Sequence, residues 1–128
     1  AAILVGEVVG PEALQFLKAT CLGRKALTTI HGGTAEEALM RLEQLALASA
    51  PELGLPAIRS MVALGLDVIA LMGRVAKGGR VQRSLQAVAL VDGLNDRGEY
   101  RLKYLYRSGG DDLSLSLERA FTNLEAHP

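Results

Sequence analysis

Two residues stand where their types and surroundings can do chemistry. Glu7 closes the run Ile3-Leu4-Val5-Gly6-Glu7, an apolar stretch that delivers an acid at its C-terminal tip. A carboxylate so placed can hold a Mg²⁺-bound water or orient a water attacking a phosphate. His31, 24 residues downstream, follows a second apolar stretch, Leu27-Thr28-Thr29-Ile30. If the two stretches are adjacent parallel strands, both side chains emerge at the same carboxyl edge, where α/β sheets bind ligands. Gly32 and Gly33 let the backbone bend away and leave the imidazole at the strand tip. On spacing alone each residue has a second reading. Glu7 is then an ordinary polar cap of a strand, and His31 a histidine fixed by a backbone carbonyl.

The elements that must position this pair follow from local signals. The fully apolar Ala1-Ala2-Ile3-Leu4-Val5 predicts a strand buried on both faces of a parallel sheet. Gly10-Pro11-Glu12 starts a helix carrying Ala13, Leu14, Leu17 and Cys21 at helical spacing, and Gly23 stops it. Thr34 as N-cap with Glu37 three residues on forms a capping box, opening a long amphipathic helix that ends near Ala50-Pro51. Strand, helix, strand, helix implies parallel strands with right-handed crossovers. A third helix is predicted from Pro56 to about Leu64. The pattern then changes to apolar-rich segments over 67–75 and 80–91, joined by a Gly-containing hairpin loop. A third antiparallel strand over 99–107 carries Tyr100, Leu102, Tyr104 and Tyr106, and a closing helix starts near Leu113.

Length and composition narrow the function classes. The 128 residues fit one domain; 49% are apolar, so the chain folds rather than serving as a disordered tail. Fourteen basic residues balance fourteen acidic ones, which argues against a general nucleic-acid or anionic-membrane binder. The single cysteine, Cys21, excludes an internal disulfide and most zinc frameworks and suits a reducing compartment. No apolar run approaches the roughly 20 residues of a membrane span. The chain has no initiator Met and opens on a core-type strand, so a fragment lacking its N-terminal part is expected, and with it self-association through the open sheet. A Cys21–His31 thiol pair is disfavoured because Cys21 lies on a helix's apolar side. Asp111-Asp112 suits a helix N-cap better than a metal. Tyr100, Tyr104 and Tyr106 are expected to pack against the terminal helix. Lys77, Arg80, Arg83, Arg101, Lys103 and Arg107 read as a solvated edge, with a partner-binding surface as the sharper alternative.

Taken together, these residues match a family. Gly6-Glu7-Val8-Val9-Gly10-Pro11-Glu12-Ala13-Leu14 resembles the Walker B box of the type II/IV secretion ATPases, and Thr28-Thr29-Ile30-His31-Gly32-Gly33-Thr34 resembles their histidine box. Glu37-Ala38-Leu39-Met40-Arg41-Leu42-Glu43 is similar to the helix that follows, and Leu55-Pro56-Ala57-Ile58-Arg59 and Leu66-Asp67-Val68-Ile69 to the later helix and strand. The likeness runs from residue 3 to about 107 and is greatest to the Tad-pilus and conjugation branches.

The resemblance implies an α/β fold: the C-terminal part of a RecA-like P-loop NTPase domain, a Walker B and histidine-box half over 1–66, then an antiparallel extension with a terminal helix over 67–128. It implies Glu7 as the catalytic acid, acting on Mg²⁺ through water, and Gly6, His31 and Arg41 at the nucleotide, ATP. Structural ion pairs are the competing reading for Arg41 and Arg59. It also implies a hexameric ring at the cytoplasmic face of the bacterial inner membrane, working with secretion or pilus platform proteins and with no direct nucleic-acid binding. Three features depart from the pattern. Val9 replaces an Arg, Arg24 stands where a second histidine is expected, and no G-x-x-x-x-G-K-[ST] phosphate loop occurs in the 128 residues. The chain alone is therefore expected not to hydrolyse ATP appreciably. The alternative is a non-catalytic scaffold or regulatory relative.

Overall fold

A computed structural model describes residues 2–109. The element order is β1 (Ala2–Val5), α1 (Glu12–Cys21), β2 (Lys25–Thr28), α2 (Ala35–Ser49), a one-turn 3-10 helix (Pro51–Leu53), α3 (Gly54–Gly65), β3 (Val68–Lys77), β4 (Arg80–Leu94) and β5 (Tyr100–Arg107). β1 and β2 pair in parallel, Ala2 opposite Lys25 through Val5 opposite Thr28. β3, β4 and β5 form a separate antiparallel sheet in that order. The strand–helix–strand order and the antiparallel extension are thus as the sequence predicts. The closing helix near Leu113 and the Asp111-Asp112 pair lie outside the described residues.

The expected burial of the first strand on both faces does not hold. Its inward residues Ile3 and Val5 are half-buried, whereas Leu4 is 76% exposed beside the 67% exposed Leu27 of β2. The physical reason is coverage: among the described residues the helices pack on one face of this two-stranded ribbon. The second strand is predicted two residues too late. Beyond Thr28 the chain has no ladder partner, because β1 ends at Val5, so Thr29 and Ile30 leave the regular ladder.

The helix ends follow their local chemistry. Gly23 sits at φ +79°; its N–H donates to the Thr20 carbonyl, and the Arg24 N–H to that of Ala19. That pair of bonds is the Schellman arrangement that ends helices at a glycine. Thr34 caps α2 by accepting from the Glu37 N–H at 3.1 Å. The returning Glu37 carboxylate reaches one residue further back than a capping box does, accepting from the Gly33 N–H at 2.8 Å. The β3–β4 hairpin closes on Gly78 and Gly79, both at positive φ, the geometry a tight two-residue turn demands.

The core lies among the three helices and the inner faces of both sheets. Val8, Leu14, Phe16, Leu17, Leu39, Leu42, Ile58 and Val62 form its buried centre, and Val5, Ala26, Ile69, Tyr100 and Leu102 pack against it. Tyr100 thus packs against the helical core and Tyr104 reaches α2, while the terminal helix expected to meet them lies outside the described residues. Tyr104 donates its hydroxyl to Glu36 of α2 at 3.1 Å, and the Arg107 guanidinium lies 3.8 Å from its ring centroid. Among the described residues no helix is long and apolar enough to cross a membrane.

Candidate functional site

Parallel pairing carries Glu7 and His31 to the same edge, just beyond the carboxyl ends of β1 and β2. Their side chains meet: His31 Nε2 lies 2.5 Å from Glu7 Oε1. Both are open to solvent, the histidine side chain 77% and the glutamate 43% exposed. An exposed pair of this kind contributes at most about 1 kcal/mol to stability. The pair is therefore held by the backbone around it and does not itself hold the fold.

That backbone is fastened on two sides. The Thr29 hydroxyl donates to the Gly6 carbonyl at 2.7 Å, and the Val8 N–H donates to the Thr29 carbonyl at 2.9 Å. Val8 is 1% exposed, a buried anchor immediately after Glu7. Beyond it, one oxygen of Glu12 accepts from the N–H groups of Val9 (2.6 Å) and Gly10 (2.9 Å). These bonds, that of Val9 foremost, hold the Glu12 carboxyl below its usual range. On the other side Gly32 passes so close to α2 that a Cβ there would lie 2.8 Å from the Ala38 backbone nitrogen. Glycine is required at that position by space.

A shallow groove of about 480 Å³ continues from His31 along α2, lined also by Gly33, Glu37, Met40, Arg41 and Gln44. Arg41 is exposed in this groove and makes no ion pair among the described residues. A structural ion pair is instead made by Arg59: its Nε donates to Glu43 Oε1 at 3.0 Å, and the Glu43 side chain is only 6% exposed. Cys21 lies away from the site and donates its thiol to the Met61 carbonyl at 3.2 Å; burial raises its pKa. Among the described residues no three His, Cys, Asp or Glu side chains gather as a metal cage.

The structure thus brings together Glu7, His31 and Gly6, sets Arg41 at the margin, and assigns the half-buried Arg59 to an ion pair with buried Glu43. Sequence reasoning missed Thr29 and the bonding of Glu12. In the sequence Thr29 stands as a strand residue within the histidine box and Glu12 as a helix-start residue within the Walker B box, with no signal of the bonds they make. The partners of both lie on backbone whose position requires the fold.

The fold is thus α/β, with a carboxylate and an imidazole at the carboxyl ends of two parallel strands backed by helices. The family model described as Type II/IV secretion system protein matches residues 1–99, and the chain belongs to that family. The conjugal transfer protein TrbB of Rhizobium radiobacter is 40% identical over 81 residues, covering 62% of this chain and 24% of that protein. The probable conjugal transfer protein TrbB of Sinorhizobium fredii (strain NBRC 101917 / NGR234) is 34% identical over 92 residues, 71% of this chain and 27% of that one. Among solved structures, the VirB11 ATPase from the Brucella suis type IV secretion system, in complex with sulphate, matches with TM-score 0.61. Identity to it is 27%, over 68% of this chain and 26% of that chain. The chain thus spans about a quarter of the length of these relatives.

Proposed function

We propose that this chain is the Walker B and histidine-box part of a RecA-like motor domain in a ring-forming ATPase that serves type IV secretion or conjugation. The observation that carries the reading is the Glu7–His31 contact at the common carboxyl edge of β1 and β2. An acid and an imidazole fixed side by side at that edge suit a terminal phosphate and the water that attacks it.

Mg²⁺, when bound with ATP, neutralises charge developing on the phosphates. The donor set fits such an ion. Mg²⁺ keeps several waters and takes one or two carboxylates plus substrate phosphates, not a protein cage. The exposed Glu7 carboxylate at the strand tips meets that demand. Glu7 would hold such an ion through a water, and its carboxylate is placed to orient the attacking water. His31 sits against Glu7 and offers its ring to the terminal phosphate, with the Gly6 backbone beside both. Arg41, exposed along the groove from His31, extends positive charge toward a neighbouring subunit. Assembly as a hexameric ring at the inner face of the membrane, with platform proteins, completes the proposal.

The test is Mg²⁺-dependent ATP hydrolysis by the full-length protein, beside its Glu7→Gln variant and residues 1–128 alone. Turnover that the variant loses by two or more orders of magnitude, and that the 128 residues lack, is expected. Equal, negligible turnover in the full-length protein and its variant would overturn the motor reading in favour of a non-catalytic scaffold.

A further inference from the structure

The ladder between β1 and β2 stops at Val5 opposite Thr28, and the next backbone bond across the pair is Val8 N–H to the Thr29 carbonyl. Gly6 and Glu7 lie in the gap between these two fastenings. Gly6 carries no side chain, and nothing lies within 4 Å of where its Cβ would be, so packing does not orient this peptide. The Glu7–His31 contact is exposed at both ends and too weak to set its own geometry. Among the described residues, one hydrogen bond fixes the Gly6 peptide: the Thr29 hydroxyl on the Gly6 carbonyl at 2.7 Å.

We infer that Thr29 is a positioning residue whose hydroxyl, by holding the Gly6 carbonyl, sets the Glu7 carboxylate against the His31 imidazole. Thr29 grips the segment on both sides of Glu7, with its side chain before the acid and its main chain after it. Two residues on, the same strand exit carries His31, so one short stretch of chain sets both partners. The inference rests on reading Glu7 and His31 as the working pair, but its test needs no turnover.

The test is the ¹⁵N signal of His31 Nε2 in the chain labelled at histidine, assigned with a His127→Gln variant. Glu7→Gln supplies the reference for an imidazole that has lost its carboxylate. Thr29→Val keeps the branched shape and removes the hydroxyl, so the ratio of paired to unpaired Glu7–His31 should fall about fivefold, the effect of one lost hydrogen bond. Its His31 signal should move toward the Glu7→Gln position, while Thr29→Ser, which keeps the hydroxyl, should stay at the wild-type position. A wild-type signal in Thr29→Val overturns the inference. So does a wild-type signal that already matches Glu7→Gln, which shows the pair unformed. If Thr29→Val does not fold, Thr29→Ser decides alone: a retained signal supports the hydroxyl, and a shifted one overturns it. ATP hydrolysis by the full-length protein and its Glu7→Gln variant separately decides the motor reading, so the two can fail independently.

Discussion

Arg59→Met tests how the interior is held together. The Glu43 carboxylate sits on the inner face of α2, 6% exposed, and its partner in the described structure is the Arg59 guanidinium at 3.0 Å. Removing one partner of a fully buried ion pair leaves an uncompensated charge and costs about 3–5 kcal/mol. Arg59 is itself 34% exposed, so water can reach the carboxylate from the arginine side. The expected loss is therefore lower, about 2–3 kcal/mol. At a urea slope of about 1.5 kcal/mol per molar, the unfolding midpoint should fall by about 1.3–2 M. Adding Glu43→Gln to Arg59→Met removes the orphan charge and should recover about 1–2 kcal/mol. The assay is urea unfolding of the wild-type chain, both single variants and the double variant. A loss below about 0.5 kcal/mol in Arg59→Met, or a double variant as unstable as the sum of the singles, would refute the argument.

Tyr100 adds a pH dependence with a definite sign. Burial, then the Glu43 carboxylate, hold its hydroxyl well above the ordinary value of 10.0. The unfolded chain loses that proton first, so this contribution is intact below about pH 10 and is lost as pH rises further. Thermal unfolding should show wild type weakening faster than Tyr100→Phe above that pH; parallel slopes would contradict it. Gly32→Ala should lower stability by about 1–3 kcal/mol, because the new Cβ meets backbone that cannot yield. Gly6→Ala, whose Cβ meets nothing within 4 Å, should unfold within about 0.5 kcal/mol of wild type. Equal melting of the two alanine variants would refute the steric argument.

The parts of the fold legible in sequence were those decided locally. Thr34, Gly23 and the Gly78-Gly79 turn announce their elements because the bonds they make lie within a few residues. The strand tips carrying Glu7 and His31 were legible because an apolar run ending in a polar residue at a glycine is itself a local pattern. What was not legible depends on neighbours. The exposure of Leu4 follows from which face the helices cover, and the inward turn of Tyr100 and Tyr104 from where α2 passes. Arg41 and Arg59 look alike in sequence, as cations on amphipathic helices. Glu43, buried on the face of α2 toward α3, distinguishes them.

The two glutamates of α2 have a mechanical consequence. Glu36 takes the Tyr104 hydroxyl, and Glu43, seven residues on, lies beside Tyr100. Seven residues are two turns, about 10.5 Å of axis, along one side of the helix. The first contact is a hydrogen bond; at the second the buried Tyr100 hydroxyl has no hydrogen-bond partner among the described residues, and the residue is held by packing against the core. The first turn of α2 is in turn locked to the His31 loop through Gly33 and Glu37. The His31 loop, the first turn of α2 and β5 are thus joined in series, through Gly33 to Glu37 and through Glu36 to Tyr104.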